Sequence, residues 1–261
     1  MKQGARPPTT ATAPPSKIFH FIQFKDMNKP NTTERYFTFP IALLQGAFTD
    51  MGAVCNKAVN YAVYVRCEDY QETPAEAFNF FGISGDPENS HKDGEILHDS
   101  LDRPPLVSVH KDIVFDFYKN PKTDFERLVF CAFCAVRSII GKGQFAKSNN
   151  QLLIARMFGF RNFKELEATK HQPLHYQSCF STPQKVRYHL NEKIIARELC
   201  LHWGLKYYSN RTRGFYVSFI MSFEELVIEG ERRRKSTLIG QKKQQEKAIV
   251  ERVKHQMKNL K

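Results

Sequence analysis

The sequence predicts an α+β chain that is mostly helical, in four parts: a disordered tail over 1–16, an N-terminal α+β module over 17–120, a second helical domain ending in a hairpin over 121–222, and a basic C-terminal helical tail over 223–261. Three observations carry this prediction. Apolar residues recur at three- and four-residue steps over most of the chain, which is the helical period. Aromatic and β-branched runs of period two are few and short, so the sheets are small. The charge is divided: residues 1–120 sum to −3 and residues 121–261 to +15, within a net +12.

The opening "MKQGARPPTTATAPPSK" is rich in Pro, Thr and Ala and lacks the apolar segment of a secretion signal, so it reads as a flexible tail. "KIFHFIQF" and "RYFTF" read as short strands. Pro40 stands where a helix can begin, and Leu44, Phe48, Met51, Cys55, Ala58 and Ala62 then share one face, which predicts an amphipathic helix over 41–65. "PAEAFNFFG" predicts a second helix stopped by Gly82, and the polar, turn-rich "SGDPENSHKDGEILHDSLDRPP" reads as a loop.

From Thr123 the pattern is regular. Phe125, Leu128, Val129, Ala132, Val136 and Ile139 form one broad helical face, with Asp124 and Glu126 in the first turn where the helix dipole favours them. "GKGQFAKS" reads as a turn and a short extended piece. Ser148 or Asn149 can cap "NQLLIARMF", which stops at Gly159. "STPQKVRYHLNEKIIARELCLHWGL" opens with a capping Ser181 or Thr182, carries Pro183 at the first helical position and stops at Gly204. In "YYSNRTRGFYVSF", Phe215, Val217 and Phe219 alternate onto one face, and Ser209, Asn210 and Gly214 supply the turn of a hairpin tipped by Arg211 and Arg213.

Helix, short strand, helix, helix, hairpin is the element order of the winged helix-turn-helix superfamily, and residues 123–220 resemble it element by element. The resemblance makes "QFA" the first strand, "NNQLLIARMFGF" the second helix, "TPQKVRYHLNEKIIARELCLHWGL" the recognition helix and "KYYSNRTRGFYVSF" the wing. One departure is the 22 residues from Phe160 to Ser181, where few are usual; either they are an insertion or "NFKELEATK" is the third helix. In the first case Val186, Leu190, Ile194 and Leu201 make an apolar stripe, and Gln184, Arg187, Tyr188 and Asn191 lie opposite it at i, i+3, i+4 and i+7. Arg suits guanine, and Gln or Asn suits adenine. Lys185 lies alongside as a further DNA-binding candidate, Arg211 and Arg213 become wing residues that reach phosphates or a narrow minor groove, and Arg232, Arg233 and Arg234 in the tail add cations.

The expected function is therefore non-catalytic binding of double-stranded DNA, of replication-initiator or transcriptional-regulator type, because segregated positive charge is the footprint of a polyanion partner. No cofactor, metal or small-molecule substrate is expected. The longest nearly apolar runs, such as "LVFCAFCAV", fall well short of the ~20 residues that cross a bilayer, so no membrane partner is expected. The six cysteines, without a secretion signal, read as reduced thiols of a cytoplasmic protein. Ile249, Val253, Met257 and Leu260 recur at helical steps, which leaves self-association open. Two other classes stay in view. The acidic segment with Asp86, Glu88, His91, Asp93, Glu95, His98, Asp99 and Asp102 offers ligands for a metal-dependent nuclease or mobilisation enzyme, though at no recognised spacing and more simply as a solvated loop. The basic tail alone would suit an RNA- or protein-binding adaptor. Cys131 and Cys134 form a CxxC inside an apolar helix with no second pair, and Tyr61 and Tyr64 read as helix packing.

Overall fold

A computed structural model describes residues 35–169, 190–209 and 214–259, with side chains over the same residues except Asn191 and 253–259. The tail 1–16, the strand expected over 17–24, the expected helix start at Ser181–Pro183 and the hairpin tip lie outside the described residues. Within them the chain is α+β and mostly helical, with two small sheets.

Strand β1, Tyr36–Pro40, pairs antiparallel with β2, Leu106–His110. Alternation puts Phe37, Phe39, Val107 and Val109 on the core face, while the Thr38 and Ser108 hydroxyls hydrogen bond at 2.8 Å on the other. The helix expected over 41–65 is broken. Ile41–Gly46 is a 3-10 segment, and α1 begins only at Met51 and runs to Tyr70. The cause is Asp50, whose carboxylate accepts the Ala53 amide at 2.9 Å and so ends one segment and starts the next. Helix α2, Pro74–Phe81, forms as expected, opened by a reciprocal Thr73–Glu76 capping box and closed at Gly82.

The acidic loop of the sequence reading is a helix. In α3, Pro87–Asp99, Asp86 accepts the Asn89 amide and Pro87 takes the first turn, signals that the polar composition outweighs by eye. Gly94 is its only fully buried residue. A methyl group at Gly94 would stand 2.7 Å from Tyr64 Cβ and closer still to the Asn60 carbonyl oxygen, so the α3 backbone lies directly on α1. Strand β2 and helix α4, Lys111–Lys119, are two further elements that the periodicity did not reveal.

Helix α5, Asp124–Ile140, is opened by a Thr123–Glu126 capping box. Every residue from Leu128 to Val136 is buried, so it is surrounded on all faces rather than on the one face that the spacing predicts. Phe130 packs on Phe117 of α4 with ring centroids 4.4 Å apart, and Phe133 packs on Trp203 at the same distance. One core therefore runs from Phe37 to Val217, across the boundary expected at residue 121. After α5 come β3, Ala146–Ser148; α6, Asn150–Met157, capped by Asn149; and α7, Phe163–Ala168, capped by Asn162. Helix α8 comprises Leu190–Leu199, with i→i+5 winding, and its continuation Cys200–His202. The hairpin strands β4, Lys206–Tyr208, and β5, Phe215–Ser218, join β3 in a sheet of order β3-β5-β4, antiparallel throughout. Helix α9, Phe223–Asn259, closes the chain.

Gly94→Ala should destabilise the fold by about 1–3 kcal/mol in urea denaturation, because a methyl group there has nowhere to go. Gly240→Ala, at a helical site with nothing within 4 Å, should instead be neutral or stabilising by up to about 1 kcal/mol.

Candidate nucleic-acid interface

The hairpin base is held on both faces. Phe215 and Val217 enter the core as the alternation predicts, but Tyr216 is buried too, because α9 crosses the outer face of the sheet. Lys147 of β3 stands opposite Tyr216, and Tyr216 opposite Tyr208, so the ladder presents one cation and two stacked phenols outward. Leu226 of α9 is fully buried there, and Gly230 lies so close that a Cβ would meet the Tyr208 and Tyr216 rings at 3.0–3.1 Å. The Tyr208 hydroxyl donates to Glu231 at 2.6 Å and fixes the turn of α9 that carries the arginines. Ser222 and Glu225 cap its first turn, and buried Ser218 donates to the Gln144 carbonyl at 2.6 Å while accepting the Ile220 and Met221 amides.

Arg232, Arg233 and Arg234 thus sit at the edge of the sheet, but they do not form a free cationic run. Arg232 donates two hydrogen bonds to Glu229 at 2.6 and 2.7 Å, Arg233 adds one to the same carboxylate at 2.8 Å, and Arg234 pairs with Glu231 at 2.7 Å. The Arg233 guanidinium also stacks over Phe145, 4.4 Å from its ring centroid. Three arginines share two carboxylates, so the patch keeps about one net positive charge. Beyond Arg234, every residue from Lys235 to Arg252 is exposed, so α9 projects from the body; its 37 residues span about 55 Å.

Gln184, Lys185, Arg187, Tyr188, Arg211 and Arg213 lie outside the described residues, and of Asn191 only the backbone is described, as the second residue of α8. The structure brings the hairpin neck together: the Ser209 hydroxyl donates to the Gly214 carbonyl at 3.5 Å, and Gly214 packs against Ser148 beside exposed Lys147. Lys147 is not singled out by the sequence, because β3 is too short for its pattern to say which way Lys147 points, and Phe145 stands just before that strand. The stripe predicted on α8 is corrected in part. Leu190 and Ile194 are buried, but Leu201 is 70% exposed, and Ile195 and Leu199 take its place. Winding with i→i+5 bonds lengthens each turn by nearly one residue, so a stripe drawn at the α period drifts off the core. Arg197 and His202 are exposed on this helix.

The catalytic alternatives find little geometry among the described residues. No three His, Cys, Asp or Glu side chains converge as a metal set. On α3, Asp86 is a cap, Asp93 accepts from the Asn60 amide at 3.2 Å, and His91 and His98 pack against the Tyr64 ring. Burial pushes the Tyr61 phenol up, reinforced by Tyr64 and Asp69, which is opposite to what a nucleophile needs. Burial likewise pushes the Cys131 thiol up to about 12 and Cys134 well above its ordinary value, so both are packing residues. No described helix is long and apolar enough to cross a membrane.

Comparison of the chain with protein-family models, with curated proteins and with solved structures finds no match.

The hydrogen bonds from Arg232 and Arg233 draw the Glu229 carboxyl down to about 2. A carboxyl lowered in the folded state favours the fold above its ordinary range, and that contribution fades only as pH falls towards 2. NMR titration of Glu229 should give a midpoint near 2; one in the ordinary range, about 4.3, would mean that the arginines stand free in solution.

Proposed function

We propose that this chain binds duplex DNA without catalysing a reaction on it, as a replication initiator or transcriptional regulator, through a winged helix-turn-helix formed by residues 121–222 with the segment 182–205, which includes α8, as the reading helix. The observation that carries this reading is the three-stranded sheet of order β3-β5-β4, which ties the hairpin to the helices and so gives an arginine-bearing tip a rigid base. The element order α5, β3, α6, α7, α8, β4, β5 supports it with α7 as an addition, as does the +15 charge of residues 121–261. Helix α7, the competing reader, is six residues long and carries Glu165 and Glu167, which a phosphate surface would repel.

In this reading Arg187 and Asn191 contact base edges, Gln184 and Tyr188 flank them, Lys185 meets the backbone, and Arg211 and Arg213 act as wing residues. Arg232–Arg234 provide a third contact whose strength is set by Glu229.

Fluorescence anisotropy on a duplex selected from random sequence tests the assignment. Arg187→Ala or Asn191→Ala should each cost about 1–3 kcal/mol on the selected site and little on random duplex. Loss of discrimination on substituting Lys164 alone would move the reading helix to α7.

Arg211→Ala with Arg213→Ala should weaken all duplexes alike and flatten the slope of log affinity against log salt by about two units. Glu229→Gln should do the reverse by releasing two guanidiniums, provided that the tail reaches the DNA; an unchanged slope would remove it from the interface.

A further inference from the structure

A cleft of about 450 Å³ opens in the first half of the chain, between α1 and α4, and the α2–α3 connection closes one end of it. Its volume lies in the range of small-molecule sites, roughly 300–1,000 Å³. One wall is a continuous stripe of α4. Lys111, Val114, Phe115, Tyr118 and Lys119 stand at i, i+3, i+4, i+7 and i+8, so an apolar, aromatic middle lies between two ammonium groups. Asn56 of α1 and Ser84 of the connection add polar groups, and no carboxylate is among the described residues that line the cleft.

That absence is unusual for its surroundings, since residues 1–120 carry more acidic than basic side chains. Two nearby carboxylates are engaged elsewhere: Asp116 pairs with Lys122, and Asp93 accepts from the Asn60 side-chain amide. Neither Lys111 nor Lys119 is in an ion pair among the described residues. Lys111 Nζ gives one proton to the Phe81 carbonyl at 3.2 Å and keeps two donors. Lys119 Nζ stands 5.6 Å from the Phe115 ring centroid. Tyr118 is 54% exposed, and it continues a stripe whose inner member, Val114, is 1% exposed. Aromatic surface open to water at Tyr118 and partly at Phe115, beside ammoniums in no ion pair among the described residues, gains from a ligand that covers the first and neutralises the second.

We propose that this cleft binds a small amphipathic anion: a flat aromatic or apolar body seated along Val114, Phe115 and Tyr118, with a carboxylate, sulfonate or phosphate group held by Lys119 and attracted further by the charge of Lys111 at the other end of the stripe. The site lies apart from the hairpin and α9, and the proposal does not rest on the DNA-binding reading.

Anilinonaphthalenesulfonate, whose fluorescence rises in apolar surroundings, serves as the probe on the full chain. Phenylnaphthylamine, the same body without the sulfonate, and inorganic phosphate, the charge without the body, are the two controls. The expected result is saturable binding of one probe per chain, weakened about tenfold by Lys119→Glu and about tenfold weaker for the neutral body, as loss of one charge-assisted contact implies. Phosphate should not displace the probe at comparable concentration. Ser90→Trp, which fills the cleft from α3, should abolish binding. Lys119 is exposed, so Lys119→Glu should leave the thermal melt unchanged, and Lys111→Met should weaken the probe in the same direction. The proposal is overturned by non-saturable fluorescence, by equal binding of the neutral body, by equal binding to Lys119→Glu, or by full binding to Ser90→Trp.

Discussion

The burial of α5 on every face is the constraint on which the rest of this structure depends. A helix whose residues 128–136 all avoid water cannot lie on a surface, so other elements must close around it. Strands β1 and β2 with α4 cover one side through Phe117, and α8 with the hairpin covers the other through Trp203 and Phe215. Two stretches of chain with opposite net charge are thereby packed into one core. The Thr123–Glu126 capping box satisfies the first amides of this helix without bringing a buried charge with it.

The hairpin depends on that arrangement and adds a second one. An isolated two-stranded hairpin is marginal in water. Here β5 pairs on both edges, Phe215 and Val217 reach the core, and Tyr216 is covered by α9 at Gly230. The base of the hairpin is rigid for these reasons. The same contact with α9 sets the electrostatics nearby, since Tyr208 holds Glu231, and Glu231 and Glu229 hold the arginines. A run that reads as strongly basic in sequence is a partly neutralised cluster on the folded helix.

Local signals were legible in the sequence because local physics makes them. The run PAEAFNFF stopped by Gly82, a cap at Ser148 or Asn149 before NQLLIARMF, and the aromatic alternation around Gly214 are signals within a few residues, and α2, α6 and strands β4 and β5 formed where they stood. The apolar spacing after Thr123 placed α5, and the charge division between the halves needs no structure at all. Of the candidate interface, the strands beneath the hairpin tip were legible; the outward placement of Lys147 was not, because a three-residue strand has no period to reveal its faces.

What only the tertiary structure decided are the features whose cause lies far away in the chain. Helix α3 has almost no apolar face to announce where it packs, and it lies on α1 because Gly94 lets its backbone rest on Asn60 and Tyr64, 30 and more residues away. Leu201 turns to solvent because the winding of α8, not its composition, sets the phase of the stripe. By itself the sequence determined which segments could satisfy their own backbone and how charge divides along the chain. The folded structure decided which faces meet, because a side chain's surroundings are supplied by residues that its neighbours in sequence do not specify.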